Sequence, residues 1–135
     1  MKKAKNKKKK KSAKSYHKNP GPVTERELVG HLNEDLQEAW EKLRAFGAGL
    51  GEQRIYASHN CIMFSKKVCY FFVRPKKTSI EVWMFLPREV EGLKAMRSAK
   101  KIEKYCNLFK LIHADQVEEP LTDWIREAYE FIPAL

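Results

Sequence analysis

The sequence has no apolar run of the length that a membrane-spanning helix requires, which is about 20 residues. Its start, Met1-Lys2-Lys3, is followed by more lysine and not by the apolar segment of a secretory signal peptide. Residues 1–23 also lack arginine and amphipathic spacing, so a mitochondrial presequence is not predicted. We therefore expect no membrane contact and a cytoplasmic protein. The nucleus or the nucleoid is the alternative, because a lysine run can serve as a nuclear address.

Cysteine and histidine are few, and they lack the spacing of a metal site. The cysteines are Cys61, Cys69 and Cys106, an odd number without a C-x-x-C pair. Two of them lie in strongly apolar stretches, so we expect buried, reduced thiols, with a metal site or a catalytic thiol as the alternative. The four histidines form no H-x-H or H-E-x-x-H motif. No metal site is therefore predicted.

Catalytic motifs are also missing. The sequence contains no P-loop, no dinucleotide-binding glycine pattern and no nucleophile elbow. A magnesium-dependent nuclease would place an acid on one strand and an acid-x-lysine motif on the next. The predicted central strands offer Glu81, with Trp83 in the position of the lysine. We expect no cofactor and assign no catalytic residue; acids converging around Glu81 or Asp115 would be the sign of an enzyme.

Charge is abundant, and its distribution along the chain is uneven. The 135 residues carry a formal charge of +10, from 27 basic and 17 acidic residues. Residues 1–23 contain ten lysines and no acid, which leaves 17 basic and 17 acidic residues from Thr24 onward. The whole excess therefore lies in an N-terminal tail. Its lysines are Lys2, Lys3, Lys5, Lys7, Lys8, Lys9, Lys10, Lys11, Lys14 and Lys18.

The lysine-rich tail has almost no core-forming side chains and its like charges repel one another, so residues 1–22 are predicted to be disordered. The segment Asn19-Pro20-Gly21-Pro22 marks the boundary to a single domain over residues 23–135. Flexible ammonium groups can replace counterions along a phosphate backbone without reading the base sequence. We expect the tail to bind nucleic acid, either DNA or RNA. The alternative is a solubilising leader without a partner.

The domain is predicted to begin and end with helices. Thr24 and Glu27 fit a capping box, and Gly47, Gly49 and Gly51 are expected to end the first helix. The apolar residues at helical spacing between them are Leu28, Leu32, Leu36, Ala39, Leu43 and Phe46. Pro120 is placed at the start of the last helix. Its apolar residues are Leu121, Trp124, Ile125, Ala128, Tyr129 and Ile132.

Between these helices the pattern predicts about five strands, with Lys66-Lys67 as the tight turn between the second and the third. The third and fourth strands are apolar on both faces, which is typical of strands covered on both sides or of a sheet that offers one face to a partner. The predicted fold is α+β, a mainly antiparallel sheet packed by an N-terminal and a C-terminal helix. The predicted strands are residues 54–57, 61–65, 68–74, 79–86 and 107–114.

Two groups of basic residues lie within the domain. Residues 89–96 are compatible with a helix, and a helical continuation would align the first group into one cationic stripe. The second group lies at a predicted turn. Both are candidate nucleic-acid contacts; a solvated face mixed with acids is the alternative, because the domain is neutral overall. The first group is Lys94, Arg97, Lys101 and Lys104, and the second is Arg74, Lys76 and Lys77.

Aromatic residues alternate along the two central strands. Tyr70 and Phe72 are expected on one face of the third strand, and Trp83 and Phe85 on one face of the fourth. On an exposed face such rings would stack on bases, as they do in RNA-recognition sheets. Aromatic residues also suit a packed strand. No glycine–aromatic signature accompanies them, so the sequence favours packing.

Several short motifs between Arg54 and Tyr129 carry a resemblance to a known domain family. They are Arg54-Ile55-Tyr56, Tyr70-Phe71-Phe72-Val73-Arg74-Pro75-Lys76-Lys77, residues 80–86, Phe109-Lys110-Leu111 and Trp124-Ile125-Arg126-Glu127-Ala128-Tyr129. Over slightly more than half its length the chain resembles a bacterial domain family of unknown function, labelled "predicted transport protein", that often closes longer proteins. The resemblance implies a fold and, through the predicted nuclease domains found beside family members, a nucleic-acid neighbourhood. It implies no catalytic residue, and the transport label finds no support in this sequence.

Three functions remain open from the sequence. The leading interpretation is a non-catalytic, nucleic-acid-associated module whose tail makes sequence-independent phosphate contacts. The alternative is a protein-interaction adaptor, in which the apolar sheet binds a protein partner and the tail serves solubility or localisation. A nuclease-related enzyme is the third interpretation. The sequence makes no prediction of the oligomeric state.

Overall fold

The computed structural model describes residues 23–99 and 103–133, so the predicted tail lies outside the described residues. Within this part of the chain, three α-helices and six strands form an α+β domain, which confirms the predicted fold class with one strand more than expected. A 3-10 helix, Ala114–Gln116, precedes the last α-helix. The elements are α1 (Glu25–Val29), α2 (Glu34–Ala48), β1 (Arg54–Ser58), β2 (Cys61–Ser65), β3 (Cys69–Pro75), β4 (Ile80–Leu86), β5 (Lys94–Ala99), β6 (Lys104–Leu111) and α3 (Leu121–Phe131).

The predicted N-terminal helix is two helices. It starts as expected, because Thr24 and Glu27 form the capping box. The chain then leaves the helical path after Val29, and Asn33 caps α2 by accepting a hydrogen bond from the Leu36 backbone N–H at 2.9 Å. A side-chain cap of this kind replaces the partner that an uninterrupted helix would supply. No helix among the described residues has the length and apolar character needed to cross a membrane.

The six strands form one antiparallel sheet with the order β1-β2-β3-β4-β6-β5. The first four are consecutive neighbours, and the predicted tight turn at Lys66-Lys67 joins β2 to β3. After β4 the chain continues to the far edge of the sheet and forms β5 there. It then returns as β6, which fills the space between β5 and β4 and pairs with both. β4 and β5, which are consecutive in the chain, are therefore separated in the sheet by β6.

The helix predicted over residues 89–96 is wrong, because this segment is a turn followed by the edge strand β5. The buried side chain of Asn107 holds the turn: it accepts a hydrogen bond from the Val90 N–H at 2.8 Å and donates one to the Arg88 carbonyl at 3.1 Å. Pairing with β6 then extends the chain. The spacing of Leu93 and Met96 also fits a helix. The contacts with Asn107 and β6, and not this spacing, therefore determine the structure of the segment.

All three helices pack against one face of the sheet, here called the inner face. Trp40 of α2 lies edge-on to Phe64 at 6.3 Å between ring centroids, and Phe64 stacks on Phe71 at 4.2 Å. Ile125 of α3 is fully buried in the same core. Within the described residues, the sheet is therefore covered on one side, and the opposite, outer face carries no helix. Of the two arrangements expected for the central strands, cover on both sides is not found in the part of the chain that the structure describes.

Candidate nucleic-acid interface

The outer face presents a row of apolar and aromatic side chains that crosses the strands. In register, Tyr56 of β1 pairs with Met63 of β2, Met63 with Phe72 of β3, Phe72 with Trp83 of β4, and Trp83 with Leu108 of β6. Side chains of directly paired residues lie on the same face of a sheet. The row arises from strand alternation, because the residues between these positions form the buried inner face.

Three rings form the centre of this row and are called the ring cluster: Phe72, Trp83 and Phe85. Phe72 and Trp83 are stacked with centroids 5.9 Å apart and planes 10° apart, and Phe72 lies 6.0 Å from Phe85. Each ring is half-buried by its neighbours. The Trp83 Nε1–H donates a hydrogen bond to Glu81 at 3.1 Å, which fixes the orientation of the indole.

Tyr70, which the alternation places beside Phe72, belongs to the core instead. Phe64 pairs with Phe71 while Ser65 pairs with Cys69, so β3 contains one extra residue at this point. Such a bulge reverses the alternation locally. The Tyr70 hydroxyl donates to Gln53 at 2.7 Å, and the side chain is fully buried, which raises the pKa of its phenol.

Basic side chains border the ring cluster. The Lys104 ammonium lies 4.9 Å from the Phe85 centroid, a cation–π distance. Arg74 is 39% exposed, and the nearest Glu81 oxygen is 3.9 Å from its guanidinium, a long ion pair. The Arg74 Nε is buried without a hydrogen-bond partner among the described residues. The buried Nε is out of reach of a ligand, but the exposed end of the guanidinium, whose Nη1 is 3.9 Å from Glu81, can donate to a further anionic group.

Charge is segregated between the two layers of the domain. The six described strands contain six basic residues and one acid, whereas the three helices contain nine acids and four basic residues. The formal neutrality of residues 24–135 therefore hides a basic sheet and an acidic helical layer. Five of the six basic strand residues, all except Arg97, lie on the outer face with Glu81, and this excess gives the outer face a positive potential. The strand residues are Arg54, Arg74, Lys94, Arg97, Lys104, Lys110 and Glu81.

The sequence-predicted basic groups are only partly brought together. The helical stripe is wrong, because Lys94 and Arg97 lie on the strand β5, three residues apart, and so on opposite faces. Lys94 pairs with Leu108 on the outer face, where Arg74 and Lys104 also lie. Lys76 and Lys77 are exposed in the turn after β3. Lys101 and the ten tail lysines lie outside the described residues.

Three outer-face residues, Arg54, Tyr56 and Lys110, were not predicted as nucleic-acid contacts from the sequence. Arg54 lies with its guanidinium carbon 5.6 Å from the Tyr56 centroid, so a cation and a ring are paired at the first strand too. Lys110 pairs with Glu81 across β4 and β6 and is exposed. The alternation of β1 and β6 placed all three on one face, but only the strand order shows that this face is the one with the rings.

The acids that would indicate an enzyme do not converge. Glu81 lies on the outer face beside Arg74, and Asp115 lies in the 3-10 helix with its side chain 90% exposed. Among the described residues, no three His, Cys, Asp or Glu side chains are grouped as a metal site. The three cysteines are free, with Cys106 buried and the other two half-buried.

The cysteine thiols are expected to be poor nucleophiles. Burial raises the pKa of Cys69 to about 11 and that of Cys106 to about 12, and it also raises the pKa of Cys61. A higher pKa lowers the thiolate fraction at pH 8, so alkylation of Cys69 by iodoacetamide should be about a hundredfold slower than that of a free cysteine. The same protein in guanidinium is the control, since all three thiols should then react at the ordinary rate. Alkylation of Cys69 in the folded chain at the rate of a free cysteine would contradict this prediction.

Comparison with curated proteins finds no match, and neither does comparison with solved structures. The sequence model of a family described as "Domain of unknown function (DUF5655)" matches residues 27–132. This range includes all six strands and hence the whole outer face. The description names no activity, so it assigns no role to the rings or to the cations. The chain belongs to the DUF5655 family of domains of unknown function.

Proposed function

We propose that the protein is a non-catalytic nucleic-acid-binding module, in which the outer face and the lysine tail both contact phosphates. One observation carries the proposal for the domain: the strands hold six basic residues and one acid, while the helices are acidic. A polyanion approaching this molecule is attracted to the sheet and repelled by the helical layer. Charge segregation therefore supports the outer face as the surface that would contact a polyanion. A cytoplasmic location, with the nucleus or the nucleoid as the alternative, is part of this proposal.

The outer-face cations suit phosphate contacts. Lys94 and Lys110 are exposed, and Lys104 and Arg74 are partly exposed beside the rings. Glu81, the one acid of the described strands, already accepts from Trp83 and lies near Arg74, so its charge is partly neutralised. Ten tail lysines would add contacts that do not depend on base sequence. The nucleic-acid neighbourhood implied by the family resemblance agrees with this function.

The adaptor function has one observation in its favour, since Tyr56 and Met96 are 40% and 55% exposed on the outer face. An apolar protein partner would have to cover the surrounding ammonium and guanidinium groups, which is unfavourable unless that partner supplies acids. Nucleic acid meets the cations with phosphates and leaves them partly solvated. The charge therefore favours nucleic acid over an apolar protein surface.

Removing two outer-face cations should weaken binding more than removing two cations of the helical layer. In the full chain, Arg74→Ala with Lys104→Ala should lower the affinity for a labelled 20-nucleotide DNA about tenfold, and reduce the log–log salt slope by about 1–2. Fluorescence polarisation at several salt concentrations measures both quantities.

The matched control is Arg126→Ala with Lys42→Ala, which removes the same charge from the helices. Its affinity should stay within about twofold of the original chain, apart from the general loss of net charge. Circular dichroism establishes that both variants are folded. Equal losses in the two pairs would show that the outer face has no special role.

A further inference from the structure

The outer face combines cations with ring surfaces, and duplex nucleic acid can use only the first of these. A duplex presents phosphates and base edges, because its bases are stacked on one another. Unpaired bases expose their faces and stack on aromatic side chains. From the ring cluster we infer that the domain prefers single-stranded nucleic acid, with bases stacked on Phe72, Trp83 and Phe85. This inference rests on the proposed function and specifies its substrate class.

The rings are held in place before any ligand binds. Phe72 and Trp83 support each other at an interplanar angle of 10°, and the Trp83 indole is anchored to Glu81. All three side chains rise from the two central strands β3 and β4, which are paired on both sides. A rigid, preformed surface loses little side-chain entropy on binding, so most of the stacking free energy contributes to the affinity.

Cations lie where the phosphates of a stacked strand would pass. Lys104 contacts the Phe85 ring directly, and Arg74 lies in the residue row beside Phe72 and Trp83, opposite Glu81. A base on the ring cluster therefore brings its own backbone within reach of a positive group on either side. This alternation of stacking and charge is the arrangement by which single strands are bound without reading their sequence.

A second copy of the chain is a less suitable occupant of the same face. Two outer faces brought together would place the cations of one copy, Arg74, Lys94 and Lys104 among them, against the basic face of the other, and like charges in contact are destabilising. Each face offers one acid from the described strands, Glu81, to offset this repulsion. A single-stranded polyanion supplies both the negative charge and the flat apolar surface that the face requires.

The test compares ligands of equal length on the full chain by fluorescence polarisation. The probes are a 20-nucleotide oligo(dT), a 20-base-pair duplex and an abasic 20-mer that keeps the phosphates without the bases. We expect oligo(dT) to bind about tenfold more tightly than either of the others. The tryptophan fluorescence of the chain, to which Trp83 contributes beside Trp40 and Trp124, should be partly quenched by oligo(dT) and left unchanged by the abasic strand.

Two variants of one residue isolate the ring from its hydrogen bond. Trp83→Leu and Trp83→Phe both lose the bond to Glu81, but only the leucine variant loses the ring. Trp83→Leu should reduce the affinity for oligo(dT) about tenfold without changing the salt slope, and Trp83→Phe should reduce it less than about threefold. If the leucine variant fails to fold, the comparison of oligo(dT) with the abasic strand on the unchanged chain still tests the inference.

The outcomes separate this inference from the proposed function. Equal binding of all three probes would overturn the single-strand preference and leave a phosphate-binding module. Binding of none would overturn the proposed function itself. A chain that binds none of the probes and elutes as a dimer, with Trp83→Leu restoring the monomer, would assign the face to a second copy and overturn both.

Discussion

Replacing Lys66 by methionine is expected to lower the free energy of unfolding by about 2–3 kcal/mol. The Lys66 side chain is buried, with its ammonium donating to the carbonyls of Tyr129 at 2.6 Å and Ile132 at 2.9 Å. It also lies 4.0 Å from the Tyr129 centroid. These carbonyls end α3, where cations are favourable and where no further turn supplies donors. Methionine fills the space but leaves both carbonyls without this donor.

The matched control is Lys67→Met, at the adjacent position of the same turn. Lys67 is exposed, so its substitution should change the free energy of unfolding by less than about 0.5 kcal/mol. Urea unfolding followed by tryptophan fluorescence measures both variants. If Lys66→Met and Lys67→Met were equally stable, the contact between the β2–β3 turn and the end of α3 would contribute nothing to the fold.

Neutralising half of the tail should have the largest effect on nucleic-acid binding. Replacing Lys7 through Lys11 by glutamine removes five charges while keeping the chain length. If each lysine neutralises one phosphate, the salt slope on duplex DNA falls by up to about 4.5, and the affinity at about 0.1 M salt falls at least about a hundredfold. Polarisation titrations from low to moderate salt give both values.

Arginine at the same five positions is the control for this prediction. It preserves the charge, so the slope should remain that of the original chain. A glutamine variant with unchanged affinity would identify the tail as a leader without a polyanion partner. Because the outer face has its own cations, the glutamine variant should keep a weaker, ring-dependent affinity for single strands.

The total charge of the domain was a misleading guide to its surface. Equal numbers of acids and bases favoured a solvated, mixed face, yet the structure separates them into a basic sheet and an acidic helical layer. The cause is that Arg74, Lys104 and Lys110 alternate with core residues along strands. The acids occupy the solvent sides of helices. The net charge of the domain reveals neither the basic residues on the strands nor the acids on the helices.

Local patterns predicted the elements whose information is local. The capping box at Thr24, the strand Cys61–Ser65 and the amphipathic helix Leu121–Phe131 agree with the structure. Each depends on contacts within a few residues or on a single apolar periodicity. The break before Asn33 was missed because the apolar spacing continues through it, although an asparagine cap is itself a local feature.

Pairing between strands that are distant in the sequence determined the features that local patterns did not predict. Residues 94–99 extend because β6 pairs with them, and Tyr70 enters the core because a bulge reverses its face. The sequence established the α+β class and a ten-lysine N-terminal segment, since composition and periodicity suffice for both. Whether Phe72, Trp83 and Phe85 are packed or open depended on where the helices dock. All of them pack on the inner face, and this leaves the rings beside Arg74 and Lys104 on the other.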